Sequence, residues 1–106
     1  MSISTHVLDA VTGRPAAGVE VTLSARGDAG WAELSTRSTD DDGRIPDLAK
    51  EAAAGVYRLS FDTDAYLDGA TFYPEVIVVF RVTDAAAHHH VPLLLSPFAY
   101  STYRGS

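Results

Sequence analysis

Turn-forming residues interrupt this chain of 106 residues at short, fairly regular intervals. Glycine, proline and aspartate mark six points, at 13–15, 26–28, 40–43, 53–55, 68–69 and 96–97. The segments between them are rich in valine, leucine and aromatic residues, and they are short for helices. Many short strands separated by regular turns are typical of a β-sandwich or a β-barrel. The spacing therefore predicts an all-β fold.

The segments between the turns show the two-residue period of β-strands. Val19, Val21 and Leu23 fall on one face of segment 19–24. Pro92 lies inside a predicted strand, where it cannot donate a hydrogen bond to a neighbour. The pattern predicts a hairpin turning at 96–98. The eight predicted strands are 3–11, 19–26, 30–38, 43–45, 56–62, 75–83, 88–96 and 98–104.

Two segments contain helix-favouring residues. Segment 63–68 begins with capping residues and ends at Gly69, so it predicts a short helix. Segment 46–52 also favours a helix, but Gly55 would end it after a few residues. We therefore predict a loop or a single turn there. No repeat, low-complexity tract or linker divides the sequence. We predict one domain over residues 1–106, built as a compact sandwich of two sheets.

Charge and composition exclude several classes of protein. The net charge is -6, and the eight Lys and Arg residues are scattered, which argues against a nucleic-acid partner. The longest apolar run, 76–80, is too short to span a membrane. There is no cysteine, which excludes disulfides and thiolate metal sites. With no signal-peptide pattern at the start, these features fit a cytoplasmic location.

The four histidines are the most informative candidates for chemistry. His6 lies in the first predicted strand, whereas His88, His89 and His90 lie in a late one. His88 and His90 share a face, and His89 points the other way. If the two strands pair, His6 approaches one member of that pair, and two imidazoles can share acid and base duties near neutral pH.

Other interpretations of the histidines remain open. A polar strand end and a fortuitous metal binder are both compatible with the run of three. A zinc site needs three or four ligands converging on one point. Adjacent residues of a strand point to opposite faces, so the run alone does not supply that geometry. We expect no native metal and no cofactor.

Arg44 follows an acidic run at 40–43. Its guanidinium fork suits a planar, carbonyl-rich ligand, although an arginine solvated beside carboxylates is the simpler interpretation. The acidic run lacks the spacing of an EF-hand, which favours a solvated turn. The sequence has no nucleophile elbow, phosphate loop or dinucleotide fingerprint. For an enzyme, water activated by histidine is then the simplest nucleophile.

Both ends of the chain resemble the transthyretin-related family. The segment HVLDAVTGRPA at 6–16 resembles its N-terminal signature, and VPLLLSPFAYSTYRGS at 91–106 resembles its C-terminal one. Segments 42–44, 55–57 and 72–76 agree more loosely, so the resemblance covers essentially the whole chain. The hydrolase branch of that family is marked by four features, which are matched here by His6, Arg44, His90 and the ending YRGS at 103–106.

The resemblance implies a fold, an assembly and a reaction. The fold is a transthyretin-like sandwich of two four-stranded sheets with one short helix after the fifth strand. The assembly is a homotetramer, a dimer of dimers with active sites in a central channel. The reaction opens 5-hydroxyisourate at its N1–C6 amide bond by hydrolysis, without a cofactor. It yields 2-oxo-4-hydroxy-4-carboxy-5-ureidoimidazoline in urate degradation.

The resemblance also implies roles for five residues. His6 and His90 share water activation and proton transfer, and Arg44 holds the planar substrate. Tyr103 forms a wall of the pocket, and Ser106 orients a histidine or the substrate through its hydroxyl or terminal carboxylate. The sequence does not say which histidine is the base. Two rival functions are a transthyretin-like module that binds a small aromatic ligand, and a purely structural interaction or adhesion domain.

Overall fold

The computed structural model describes residues 2–106. The described residues include no helix that could span a membrane. The elements, in chain order, are β1 (Ser2–Asp9), β2 (Arg14–Pro15), β3 (Glu20–Gly27), β4 (Gly30–Ser38), β5 (Arg44–Ala49), β6 (Gly55–Phe61), α1 (Thr63–Tyr66), β7 (Val76–Val82), β8 (His88–Ser96) and β9 (Ala99–Thr102).

The strands form two sheets, which confirms the predicted all-β sandwich with one short helix. In the first sheet β8 pairs with β1 in parallel, and β9 pairs with β8 in the antiparallel sense. The second sheet has the order β4-β3-β6-β7. The first sheet has five strands rather than the expected four, because β2 and β5 pair with different parts of the same edge of β1.

The prediction of a loop or turn at 46–52 is wrong in its first half. Strand β5 continues to Ala49, and a register shift interrupts its pairing with β1 between Ile3 and Thr5. Ile45 and Leu48 are both buried although they are three residues apart. Because this spacing breaks the two-residue alternation, the sequence pattern did not reveal the full strand.

Alternation along β1 decides where the polar residues of the first sheet lie. Ile3, Thr5 and Val7 are buried against the second sheet. The intervening side chains of Ser4 and His6 therefore lie on the outer face of the first sheet. Strand β8 repeats this pattern, with buried residues at every second position: His89, Val91, Leu93 and Leu95.

Asp9 joins the end of β1 to the helix. Its Oδ1 accepts hydrogen bonds from the backbone N–H groups of Val11 (2.9 Å) and Thr12 (3.2 Å). Its Oδ2 accepts from the hydroxyl of Tyr66 at 3.0 Å. Burial, followed by the bond to Asp9, raises the pKa of Tyr66, so the phenol stays protonated and donates.

Asp9→Ala is expected to lower the free energy of unfolding by about 1 kcal/mol, because it removes the acceptor of three partly buried hydrogen bonds. Urea denaturation followed by circular dichroism measures this loss. Tyr66→Phe removes one of the three bonds and should cost less than Asp9→Ala. Equal stability of Asp9→Ala and the parent would show that water replaces the carboxylate without cost.

Candidate active site

Three strands bring polar side chains together on the outer face of the first sheet. The parallel register of β1 and β8 sets Ser4 opposite His90. The antiparallel register of β1 and β5 sets His6 opposite Arg44. Residues on one face of a sheet at neighbouring register positions are close enough to interact. The fold thus gathers His6, Arg44 and His90 although they are distant in sequence.

An open pocket of about 320 Å³ lies over this face. Its volume is at the lower end of the range for small-molecule sites, which suits a single small heterocycle. His6 flanks the pocket, since it pairs with Arg44 on the neighbouring strand. The pocket is lined by Ser4, Thr5, Arg44, Pro46, His88, His90 and Ser106.

His90 is held at one ring nitrogen and is neutral at neutral pH. Its Nδ1 lies 2.7 Å from the hydroxyl oxygen of Ser4. Among the described residues, Nε2 has no hydrogen-bond partner. Burial lowers the pKa of His90, and the nearby charges of Arg44, His88 and His6 lower it further. An unprotonated imidazole nitrogen beside a pocket is able to act as a general base.

The lowered pKa gives a titration prediction. Because both burial and a cationic neighbour disfavour its protonation, we expect His90 to titrate with a midpoint below the ordinary pKa of 6.5. Arg44→Gln removes a positive charge, so the pKa of His90 should rise towards that value. Histidine ¹H–¹⁵N correlation spectra recorded against pH measure both midpoints. A midpoint above 6.5 in the parent protein would contradict the described environment.

His6 is held by the turn that precedes β5. Its Nε2 lies 3.0 Å from the carbonyl oxygen of Asp42. A carbonyl only accepts hydrogen bonds, so Nε2 carries the proton and donates. In the neutral ring the unprotonated nitrogen is then Nδ1. The two histidines therefore use opposite ring nitrogens for their structural bonds.

The acidic run at 40–43 builds a turn that positions Arg44. Oδ1 of Asp40 accepts from the backbone N–H groups of Asp42 (2.9 Å) and Arg44 (3.0 Å). Gly43 has a φ of 73°, and a Cβ there would collide with the carbonyl oxygen of Val7. Within residues 2–106, no group of three or more His, Asp or Glu residues is arranged to hold a metal.

The C-terminal segment folds back onto β8. The backbone N–H of Gly105 donates to the carbonyl oxygen of His90 at 2.8 Å, and this contact places Gly105 against the imidazole. A Cβ at Gly105 would lie 2.5 Å from Cδ2 of His90. The next residue, Ser106, reaches the pocket. The C-terminal segment therefore borders the pocket and contacts the ring of His90.

Tyr103 lies apart from this pocket. Its side chain is 57% exposed and lines a second groove of about 240 Å³. That groove also contacts β7 and β8, and His90 borders both cavities. In the single chain the structure does not bring Tyr103 beside Arg44.

Two members of the cluster, Ser4 and His88, had no role assigned from the sequence. Ser4 Oγ lies 2.8 Å from Nε2 of His88 as well as 2.7 Å from Nδ1 of His90. His89 instead is only 5% exposed, and its Nδ1 donates to the carbonyl oxygen of Ala87 at 3.1 Å. The in-register pairing of β1 with β8 is the signal that identifies Ser4, and only the structure provides it.

Comparisons with known proteins agree with this architecture. The profile of the HIUase/Transthyretin family matches residues 3–105. The 5-hydroxyisourate hydrolase of Salmonella dublin is 50% identical over 109 residues, covering 98% of this chain and 80% of that protein. The structure of Klebsiella pneumoniae 5-hydroxyisourate hydrolase matches with a TM-score of 0.88 and 36% identity, over 100% of both chains. Sea bream transthyretin in complex with thyroxine matches with a TM-score of 0.92 and 37% identity, over 99% of this chain and 95% of that one. This chain belongs to the HIUase/Transthyretin family.

Proposed function

We propose that this chain hydrolyses 5-hydroxyisourate in urate degradation, by attack of water on the ring amide. Relatives named 5-hydroxyisourate hydrolase support the reaction, since they match nearly the whole chain. The observation that carries the proposal is the meeting of His6, Arg44 and His90 on one sheet face beside a small pocket. Two imidazoles and a guanidinium supply the proton transfer and charge stabilisation that amide hydrolysis requires.

His90 is the proposed general base. Its neutral imidazole takes one proton from water through Nε2, while Ser4 holds Nδ1. The water oxygen attacks the ring carbonyl, the carbon–nitrogen bond breaks, and a carboxylic acid forms. For this step His6 carries a proton on Nδ1 as well as on Nε2. It delivers the Nδ1 proton to the leaving nitrogen and recovers one from the new carboxylic acid. One proton from water remains with His90 and must leave before the next turnover.

Arg44 is proposed to bind the planar substrate and to stabilise the oxyanion. Its guanidinium lines the pocket, and within residues 2–106 it forms no ion pair. Five N–H donors in a planar fork suit the adjacent carbonyl oxygens of a urate-like ring. Ser106 lines the same pocket and is proposed to orient substrate or His90 through its hydroxyl or terminal carboxylate. Tyr103 remains a proposed pocket wall, contributed in the assembled protein.

We propose that the chain forms a homotetramer, a dimer of dimers. Strands β7 and β9 are edges of their sheets, and edge strands offer unpaired backbone groups to a second copy. Ile77 and Val79 on β7 and Tyr100 on β9 are exposed near these edges. Light scattering after size exclusion should give four times the 11.3 kDa mass of one chain. A monomer in dilute solution would contradict this assembly.

A simple assay tests the proposed reaction. Urate oxidase generates 5-hydroxyisourate in situ, and its decay is followed in the ultraviolet with and without this protein. Faster decay at catalytic amounts of protein is the expected result. The rival function is a carrier, favoured by the likeness to transthyretin bound to thyroxine. Tight thyroxine binding together with decay at the spontaneous rate would support the carrier and contradict the hydrolase.

The proposal includes a cytoplasmic location, where the chain would meet substrate made by urate oxidation. Fractionation of cells that produce the native protein, with the hydrolase assay applied to each fraction, tests it. Activity confined to the cytoplasmic fraction is expected.

A further inference from the structure

A continuous line of hydrogen bonds runs from His90 along the edge of the site. Nδ1 of His90 contacts Oγ of Ser4 at 2.7 Å, and the same Oγ contacts Nε2 of His88 at 2.8 Å. Nδ1 of His88 then contacts Oγ of Ser2. Hydroxyl and imidazole groups alternate along this line, because the parallel register pairs Ser2 with His88 and Ser4 with His90. The inner hydroxyl, of Ser4, is only 4% exposed, whereas His88 is exposed to solvent.

The bonding capacity of these groups allows two directions along the line, and only one of them leaves Nε2 of His90 unprotonated. A serine hydroxyl donates one hydrogen bond and still accepts another, and a neutral imidazole donates from one nitrogen and accepts at the other. If His90 donates from Nδ1 to Ser4, Ser4 donates to Nε2 of His88, and Nδ1 of His88 donates to Ser2. The basic nitrogen of His90 is then Nε2, as its role as general base requires.

The proposed reaction requires a route by which His90 loses a proton after each turnover. Hydrolysis of the ring amide near neutral pH gives a carboxylate and a neutral N–H group on the leaving nitrogen, so one proton is released per turnover. In the mechanism above this proton is held on Nε2 of His90. Burial, Arg44 and the neighbouring imidazoles of His6 and His88 oppose a lasting positive charge there. Among the groups facing His90 from the other strands and from the C-terminal segment, only Ser4 is hydrogen-bonded to its ring.

We propose that Ser4, His88 and Ser2 form a proton relay that discharges His90 to solvent after each turnover; this inference rests on the proposed function. When Nε2 takes the proton of water, the Nδ1 proton of His90 passes to Ser4. The Ser4 proton passes to Nε2 of His88, the Nδ1 proton of His88 passes to Ser2, and Ser2 releases one to water. Every bond of the line reverses, and one proton enters at Nε2 of His90 while one leaves from Ser2. His90 is then neutral with its proton on Nε2. Exchange of ring protons with water and rotation of the two hydroxyls return the line to its starting direction before the next turnover.

His88→Gln tests the relay without removing the hydroxyl that holds His90. Glutamine keeps a hydrogen-bonding side chain beside Ser4, but it has no ring that exchanges protons between two nitrogens. We expect kcat to fall by up to about 10²-fold, the lower end of what a positioned proton-transfer group contributes. The KM should change little, the solvent deuterium isotope effect on kcat should increase, and added imidazole buffer should restore turnover.

Serine variants provide the matched comparisons. Ser4→Ala interrupts the line and should reproduce the buffer-dependent loss, whereas Ser4→Thr keeps the hydroxyl and should retain turnover. Ser96→Ala is the control, because Ser96 lies on the same strand as His90 and its hydroxyl donates to the carbonyl oxygen of Ala99, away from the line. A purely structural role for these residues would give losses that buffer does not relieve.

The outcomes separate the relay from the proposed function. Wild-type kcat in His88→Gln, with no buffer dependence, would overturn the relay and leave the hydrolase intact. A wild-type protein without turnover would overturn both. Nitrogen-15 spectra give a reading independent of activity, since the relay requires the Nδ1–H tautomer of His90 at neutral pH. Observation of the Nε2–H tautomer in the resting protein would also overturn it.

Discussion

His90→Ala is expected to lower kcat/KM for 5-hydroxyisourate by about 10²–10⁴-fold, the usual contribution of a general acid or base. The loss should appear mainly in kcat, because the imidazole acts on water rather than on ground-state binding. Steady-state kinetics in the ultraviolet assay measures it. The fold should persist, since the His90 side chain lies on the outer sheet face and not in the core.

A matched substitution on the same strand shows whether the loss is specific. His89 points to the opposite face and donates from Nδ1 to the carbonyl oxygen of Ala87. His89→Asn keeps an N–H donor near that position, so its activity should match the parent. Equal activities of His90→Ala and the parent would remove His90 from the mechanism.

Gly105→Ala is expected to lower kcat by about 10²-fold, because displacing a catalytic group by about 1 Å has that effect. The added Cβ would lie 2.5 Å from Cδ2 of His90 and 3.3 Å from Cγ of Pro92. The proline ring is rigid, so the imidazole must move. Gly105 is therefore a positioning residue that acts through His90. A crystal structure of the variant should show the displaced ring.

Gly27→Ala is the matched control for this substitution. A Cβ at Gly27 meets only the carbonyl oxygen of Gly30 at 3.8 Å, which is an ordinary contact. Its activity should equal that of the parent. Full activity of Gly105→Ala would mean that the C-terminal segment moves away without disturbing the histidine, and that it does not position the ring.

Much of the fold follows from local sequence patterns. The regular turns and the alternation of residues such as Val19, Val21 and Leu23 predict the strands of both sheets, and the hairpin between β8 and β9 turns at 97–98 as expected. Strands β2 and β5, which share one edge of β1, were not predicted with their observed bounds. Strand β2 has only two residues, and β5 carries a register shift that hides its alternation.

Only some members of the candidate site, and none of its connections, were predictable from the sequence. Alternation and family resemblance select His6, Arg44 and His90 from the sequence. The link through Ser4 depends on the exact pairing of β1 with β8, which are more than 75 residues apart in the chain. Long-range register is set by the packing of both sheets, so no local pattern reveals it. The same reason hides the contact between Gly105 and His90.

The decay of 5-hydroxyisourate with the wild-type protein, His6→Ala and His90→Ala, each folded and at equal concentration, decides whether this chain is a hydrolase that works through these two histidines. We expect the wild type to accelerate decay far above the spontaneous rate and each variant to lose most of this acceleration. Decay at the spontaneous rate with folded wild-type protein would contradict the hydrolase. Rapid decay with all three proteins would contradict the assignment of its histidines.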